Sequence, residues 1–151
     1  MRAILVDWIV HVHYNLKCKI ETLYLTIWII DTYLSNKKIQ RSQLQLLGIA
    51  LLISCKINEI CYPNILNFVK LTDYAFQKIE LLEMEKDILH VLDFNLCVPT
   101  SIEFFQILSK LFELNEIQIN FGKYFLESVL IDYDMIYFSP SIIAFSSIYI
   151  S

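Results

Sequence analysis

The sequence predicts an all-α fold, and three observations predict it. Apolar residues make up 56% of the chain while only 2 glycines and 3 prolines interrupt it, which favours long helices over turn-rich sheets. Apolar positions recur at intervals of three and four through most segments. The stretch LQLLGIALLISCKINEI, residues 44–60, is apolar on nearly every face and then turns polar at Lys56, Asn58 and Glu59. A helix of that kind belongs in the middle of a bundle, with its C-terminal tip emerging at the surface.

The elements follow in order. A helix over 1–14 carries Met1, Ile4, Leu5, Trp8, Ile9 and Val12 at helical spacing, and residues 15–19 break it. The second helix covers 21–35, with Thr22 or the residues before it as the cap. Its β-branched and aromatic residues also suit a strand, but its length and lack of alternation favour a helix. Ser42 is the expected cap of the third helix, 42–59, where Gly48 permits close helix packing. Pro63 forces a turn, and a short helix follows over 64–71. The fifth helix spans 76–92, with Ile79, Leu82, Met84, Ile88, Leu89 and Leu92 expected to face inward.

Residues 93–100 show no helical repeat, and 96–99 reads as a linker. Thr100 or Ser101 caps a sixth helix, a seventh covers 117–132, and Pro140 opens an eighth at the position helices favour for proline. The chain therefore divides into a five-helix unit over 1–95 and a second helical unit over 100–151. No capping residue precedes the first helix, and the apolar run IIAFSSIYI stops in mid-helix. The sequence thus reads as an excerpt of a longer protein, its second unit incomplete and marginal without more chain.

Composition excludes several functions. With 12 basic and 16 acidic residues the net charge is −4, so there is no basic footprint for nucleic acid. The Leu44 run meets Lys56 well short of the ~20 residues a membrane span needs, and no signal peptide is visible. Cys18, Cys55, Cys61 and Cys97 are scattered without metal-knuckle spacing and are expected to be reduced, mostly buried thiols. His11 and His13 would not share a helix face, His90 reads as structural or surface-facing, and no catalytic triad, metal-binding helix or phosphate loop occurs. The expectation is a protein without catalytic residues, metal or cofactor.

Two sets of charges interrupt the apolar pattern. Asp31 lies inside WIIDTYL, where a buried carboxylate needs a partner, and Arg2 at the start of the first helix is the obvious one. Lys56 has two readings: a solvated pair with Glu59 one turn on, or a donor to a partner's backbone carbonyls, with Glu85 from LLEMEKDIL accepting the partner's N–H groups.

Several blocks then occur in order: MRAILVDW at 1–8, ETLYLTIWIIDTYLS at 21–35, LQLLGIALLISCKINEICYP at 44–63, FVKLTDYAF at 68–76, MEKDILHVLDFNLCVPT at 84–100 and PSIIAFSS at 140–147. Together they resemble the mitotic, A- or B-type cyclins over essentially the whole chain. The resemblance implies a five-helix cyclin box over 1–95 and an incomplete second cyclin domain over 100–151. It implies an intracellular, nuclear or cytoplasmic, regulatory subunit that is not an enzyme. Such a subunit binds and allosterically activates a cyclin-dependent Ser/Thr protein kinase in G2/M, with no cofactor and no direct contact to nucleic acid or membrane.

By position the resemblance assigns Lys56 and Glu85 to gripping the kinase backbone, with Phe76, Ile79 and Leu82 near the contact face, and Arg2 and Asp31 to an internal supporting pair. It assigns Met1, Leu5, Trp8, Leu44 and Gln45 to a patch that docks short substrate segments carrying a basic residue and a leucine; Leu5 and Trp8 also read as core. The sequence departs from the family at His11, where an acidic residue is usual, at Thr32, which replaces a frequent arginine, and at Ile57–Asn58, which replaces an aromatic–acid pair. A cyclin-box adaptor of a transcription complex is the alternative; the acidic charge and the MRAIL block weigh against it.

Overall fold

The computed structural model describes all 151 residues. It contains eight α-helices and no strand: α1 Arg2–Leu16, α2 Ile20–Asn36, α3 Ile49–Asn58, α4 Ile65–Leu71, α5 Lys78–Val91, α6 Ser101–Leu111, α7 Glu116–Ile131 and α8 Pro140–Ile150. Two 3₁₀ segments, Arg41–Gly48 and Asp134–Tyr137, precede α3 and α8.

The core is built on α2 and α3. Every residue from Ile49 to Cys55 is buried, so the all-round apolar pattern does put α3 inside a bundle. Helix α2 packs against α1, α3, α5 and α6, and thereby joins the first unit to the second. Helices α6, α7 and α8 pack on one another around Phe105, Leu126 and Ala144.

Local details differ from the sequence expectation in instructive ways. The third helix is not regular over 42–59, because its first turns are 3₁₀ and its backbone enters from Gln40 without a side-chain cap from Ser42. Helix α2 begins after Lys19, and Thr22, rather than capping it, is buried in its first turn. Helix α5 starts at Lys78, so Phe76 lies ahead of it, and Glu80 accepts from the Gln77 amide at 2.6 Å to close the first turn. The inward assignment of Ile79 and Leu82 is corrected: they are 64% and 37% exposed. The buried stripe of α5 runs through Leu81, Glu85 and Ile88 to Leu92, at intervals of three and four. In the second unit Glu103 accepts from the Thr100 amide at 2.8 Å, and Ser139 caps α8 ahead of Pro140.

Both glycines are places of close approach. A Cβ on Gly48 would lie 2.7 Å from the Trp8 ring, and one on Gly122 would fall closer still to the Phe105 ring. The Phe105 ring is fully buried and has little room to retreat, while the half-buried Trp8 ring could move only by giving up its packing against the core. Gly48→Ala and Gly122→Ala should therefore each destabilise the chain by about 1–3 kcal/mol, read from urea unfolding. A variant as stable as the parent would show that the aromatic ring yields.

Candidate functional site

The expected charged residues come together in two places. The first joins three helices. Arg2, at the start of α1, donates from Nε and Nη2 to the two carboxylate oxygens of Asp31 on α2 at 2.7 and 2.8 Å. Its Nη1 donates to the Leu130 carbonyl at 2.7 Å, in the last turn of α7. Both side chains of the pair are largely buried, with 11% and 18% of their surface exposed. A bidentate Arg–carboxylate pair satisfies a buried aspartate, and the third donor serves a carbonyl that the end of a helix leaves without a partner. Arg2 and Asp31 also stand on the wall of a cleft between the two units, of about 330 Å³ and lined further by Trp28, Leu130 and Phe138.

The second place is the tip of α3. Lys56 Nζ lies 2.5 Å from Glu85 Oε1 on α5. The Lys56 side chain is 41% exposed while that of Glu85 is 11% exposed, so the carboxylate is held inside and the ammonium reaches it from the surface. The cation also lies in the last turn of α3, where the helix dipole favours it. The reading of Lys56 as a solvated pair with Glu59 does not hold. Glu59 instead accepts from the Lys19 amide and the Thr22 hydroxyl, both at 2.7 Å, and Lys19 Nζ donates to the Asn58 carbonyl at 2.9 Å.

Exposed apolar side chains occur on or beside both helices that carry the pair. Ile57 in the last turn of α3, Ile60 just past its end, and Ile79 and Leu82 on α5 are exposed, and Phe76 is half-buried. Ile79, Leu82 and Glu85 succeed one another at intervals of three, which sets them along one side of α5. Sequence reading noted Ile57 only as a departure from the family pattern and missed Ile60, although an apolar residue beside a polar helix tip is itself a signal.

A further cluster, unforeseen in the sequence, anchors α5. Asp87 accepts from the Tyr33 hydroxyl and from Lys37 Nζ at 2.6 Å, both on or just past α2. These hydrogen bonds hold the Asp87 carboxyl below its ordinary 3.8, and burial together with Asp87 pushes the Tyr33 phenol well up.

The residues assigned to substrate docking are less uniform. Met1 and Gln45 are exposed, Trp8 and Leu44 are half-buried, and Leu5 is buried in the core, which removes it from any surface patch. His11 is exposed and its Nδ1 lies 2.8 Å from the Asp7 carbonyl. The cysteines are free, but only Cys55 is buried and Cys18 half-buried; Cys61 and Cys97 are exposed, against the expectation of mostly buried thiols.

Asp31→Ala would leave the guanidinium of Arg2 with carbonyl acceptors alone, and should cost about 2–4 kcal/mol in urea unfolding; a loss below about 0.5 kcal/mol would show the pair to be a rim contact. Asp87 sets a pH dependence. Its folded-state value is depressed, so its stabilisation is present above about 3.8 and is lost as pH falls through the lower folded value. Asp87→Asn should lower the melting temperature at neutral pH and flatten its decline in acid; an unchanged acid profile would contradict this.

The comparisons with known proteins agree with this architecture. A model of the cyclin N-terminal domain matches residues 1–97, and one of the cyclin C-terminal domain matches residues 99–151. Cyclin-B1-3 of Oryza sativa subsp. japonica is 41% identical over 99% of this chain and 32% of its own length. G2/mitotic-specific cyclin-B2 of Gallus gallus is 41% identical over 100% of this chain and 38% of its own. The Homo sapiens protein of the same name is 43% identical over 95% and 36%. The chain thus spans roughly a third of the length of these curated relatives. Among solved structures, a viral cyclin from herpesvirus saimiri superposes with a TM-score of 0.86 over 97% of this chain and 66% of that one, at 22% identity, a likeness of fold. With a family model covering the first 97 residues and a second covering the rest, the chain belongs to the cyclin family, and the relatives it resembles are B-type cyclins.

Proposed function

We propose that the chain is the kinase-binding part of a mitotic, B-type cyclin, a regulatory subunit that binds a cyclin-dependent Ser/Thr kinase and shifts it to its active conformation in G2/M. On this reading residues 1–95 form the first cyclin box, 96–99 the linker and 100–151 the start of the second cyclin domain, acting inside the cell in the nucleus or cytoplasm. The observation that carries the proposal is the Lys56–Glu85 pair, with exposed Ile57 on α3, Ile60 just past it, and Ile79 and Leu82 on α5. A specific protein interface has an apolar centre with a few desolvated polar anchors. The ammonium has further donors and the carboxylate further acceptor positions beyond their mutual bond. Lys56 can therefore donate to partner carbonyls while Glu85 accepts partner N–H groups, without either leaving the other.

The mechanism is a population shift. Contacts made only to one conformation of the kinase favour that conformation, and phosphotransfer belongs to the kinase alone. Met1, Trp8, Leu44 and Gln45 remain candidates for a substrate-docking patch on α1 and the 3₁₀ segment, without Leu5. With His11 beside it in place of an acid, that patch attracts a basic docking segment weakly.

Lys56→Ala and Glu85→Ala should each weaken binding to the cognate kinase by about 30-fold or more, the equivalent of roughly 2 kcal/mol. Both should reduce phosphorylation of a histone substrate in proportion, while Lys110→Ala, at an exposed position of α6, should leave it unchanged. Binding is measured by calorimetry with each variant's fold checked by circular dichroism. Folded parent protein that neither binds nor stimulates any cyclin-dependent kinase of its source cell would overturn the proposal and favour an adaptor role.

A further inference from the structure

Cys18 and Cys55 stand apart from the other two cysteines. Cys18 lies in the connection between α1 and α2, and Cys55 is on α3, the residue before Lys56. Their sulfurs are 3.5 Å apart, although the residues are separated by 37 positions. The two backbones are also held in place on either side of the thiols. Lys19, next to Cys18, donates to Glu59 and Asn58, and the Glu59 amide donates to the Cys55 carbonyl at 2.9 Å. No third potential metal ligand joins the pair, so a metal site is not built here.

We propose that Cys18 and Cys55 form a reversible modification site, an intramolecular disulfide made by a hydroperoxide. A disulfide needs sulfurs about 2.05 Å apart. Closing the gap asks for roughly 1.5 Å of movement, within reach of side-chain rotation and a small shift of the α1–α2 connection. Cys18 is the half-buried member and the one an oxidant can reach, whereas Cys55 is fully enclosed and acts second.

In the first step the Cys18 thiolate attacks a peroxide oxygen. The S–O bond forms, the O–O bond breaks, and the departing alkoxide or hydroxide takes a proton to leave as alcohol or water. In the second step the Cys55 sulfur attacks the Cys18 sulfenic acid. The S–S bond forms, the S–O bond breaks, and hydroxide leaves as water with the Cys55 proton. Two thiols are oxidised by two electrons and one hydroperoxide is reduced. Burial pushes both thiols above their ordinary 9.0, so little thiolate is present and the reaction answers sustained rather than brief exposure. The product would staple the α1–α2 connection to the end of α3, one residue from Lys56.

The test uses the whole chain with Cys61→Ser and Cys97→Ser, both at exposed positions, so that only the proposed pair can react. The folded variant, checked by circular dichroism, is treated with hydrogen peroxide, alkylated and mapped by mass spectrometry without reductant. The expected major species joins the Cys18 and Cys55 peptides within one chain, is two hydrogens lighter than the reduced protein and reverts with dithiothreitol. The parent protein should give the same linkage, which covers a failure of the double variant to fold. Recovery of both thiols as alkylated cysteines, sulfinic acid without cross-link, or linkage only between chains would overturn the proposal. None of these readouts depends on a kinase, so they stand or fall separately from the function proposed above.

Discussion

Arg2 holds the two units of this molecule in one arrangement. Its guanidinium spans α1, α2 and α7 through the Asp31 carboxylate and the Leu130 carbonyl. Each contact answers a separate physical demand. A carboxylate within an apolar helix must be paired, and a helix end that packs against another unit must have its carbonyls satisfied. One planar side chain with a fixed fork of donors meets both demands, which lysine's single ammonium would not do with the same geometry. Apolar packing alone allows helices to slide by small amounts at little cost; hydrogen bonds between buried groups allow only one register.

Helix α2 then serves as the template for everything that follows. At its N-terminal end Lys19 and Thr22 hold Glu59, at the tip of α3. At its C-terminal end Tyr33 and Lys37 hold Asp87 on α5. Glu59 is about one turn beyond Lys56, and Asp87 is two residues beyond Glu85. Polar contacts to a single helix thus fix the two elements whose side chains, Lys56 and Glu85, meet. A mutation in either clasp would act on the Lys56–Glu85 geometry without touching it.

How much of this was legible in the sequence depends on the kind of signal involved. Asp31 was legible because a carboxylate in an apolar helix demands a partner, and Arg2 because it begins an apolar helix with few other claims on it. The Leu130 carbonyl was not, since backbone acceptors have no signature in the residue string. Ile79 and Leu82 read as inward because α5 has enough apolar residues to draw two stripes. Only packing shows that the buried one is Leu81, Glu85, Ile88 and Leu92. The stripe also carried a missed sign: Glu85 occupies a core position. The 3₁₀ start of the third helix was invisible because its apolar spacing differs little from that of an α-helix over two turns.

The division of charge at the tip of α3 explains why the sequence offered two readings of Lys56. An acid one turn after a lysine ordinarily neutralises it. Here Glu59 is drawn inward by the α2 amide and hydroxyl, and Lys56 is left to Glu85 and to the surface. The two carboxylates have therefore exchanged the roles that spacing suggests: the near one is structural and the distant one is the counter-ion. Glu85 is buried and paired with Lys56 in the free protein, so on the proposed function a partner docking there would find a charged acceptor already desolvated and already oriented. Much of the desolvation cost that makes buried ion pairs expensive at interfaces is met during folding rather than during binding. Exposed Ile57, Ile60, Ile79 and Leu82 would then offer apolar surface to the same partner, beside a pair whose geometry α2 has set.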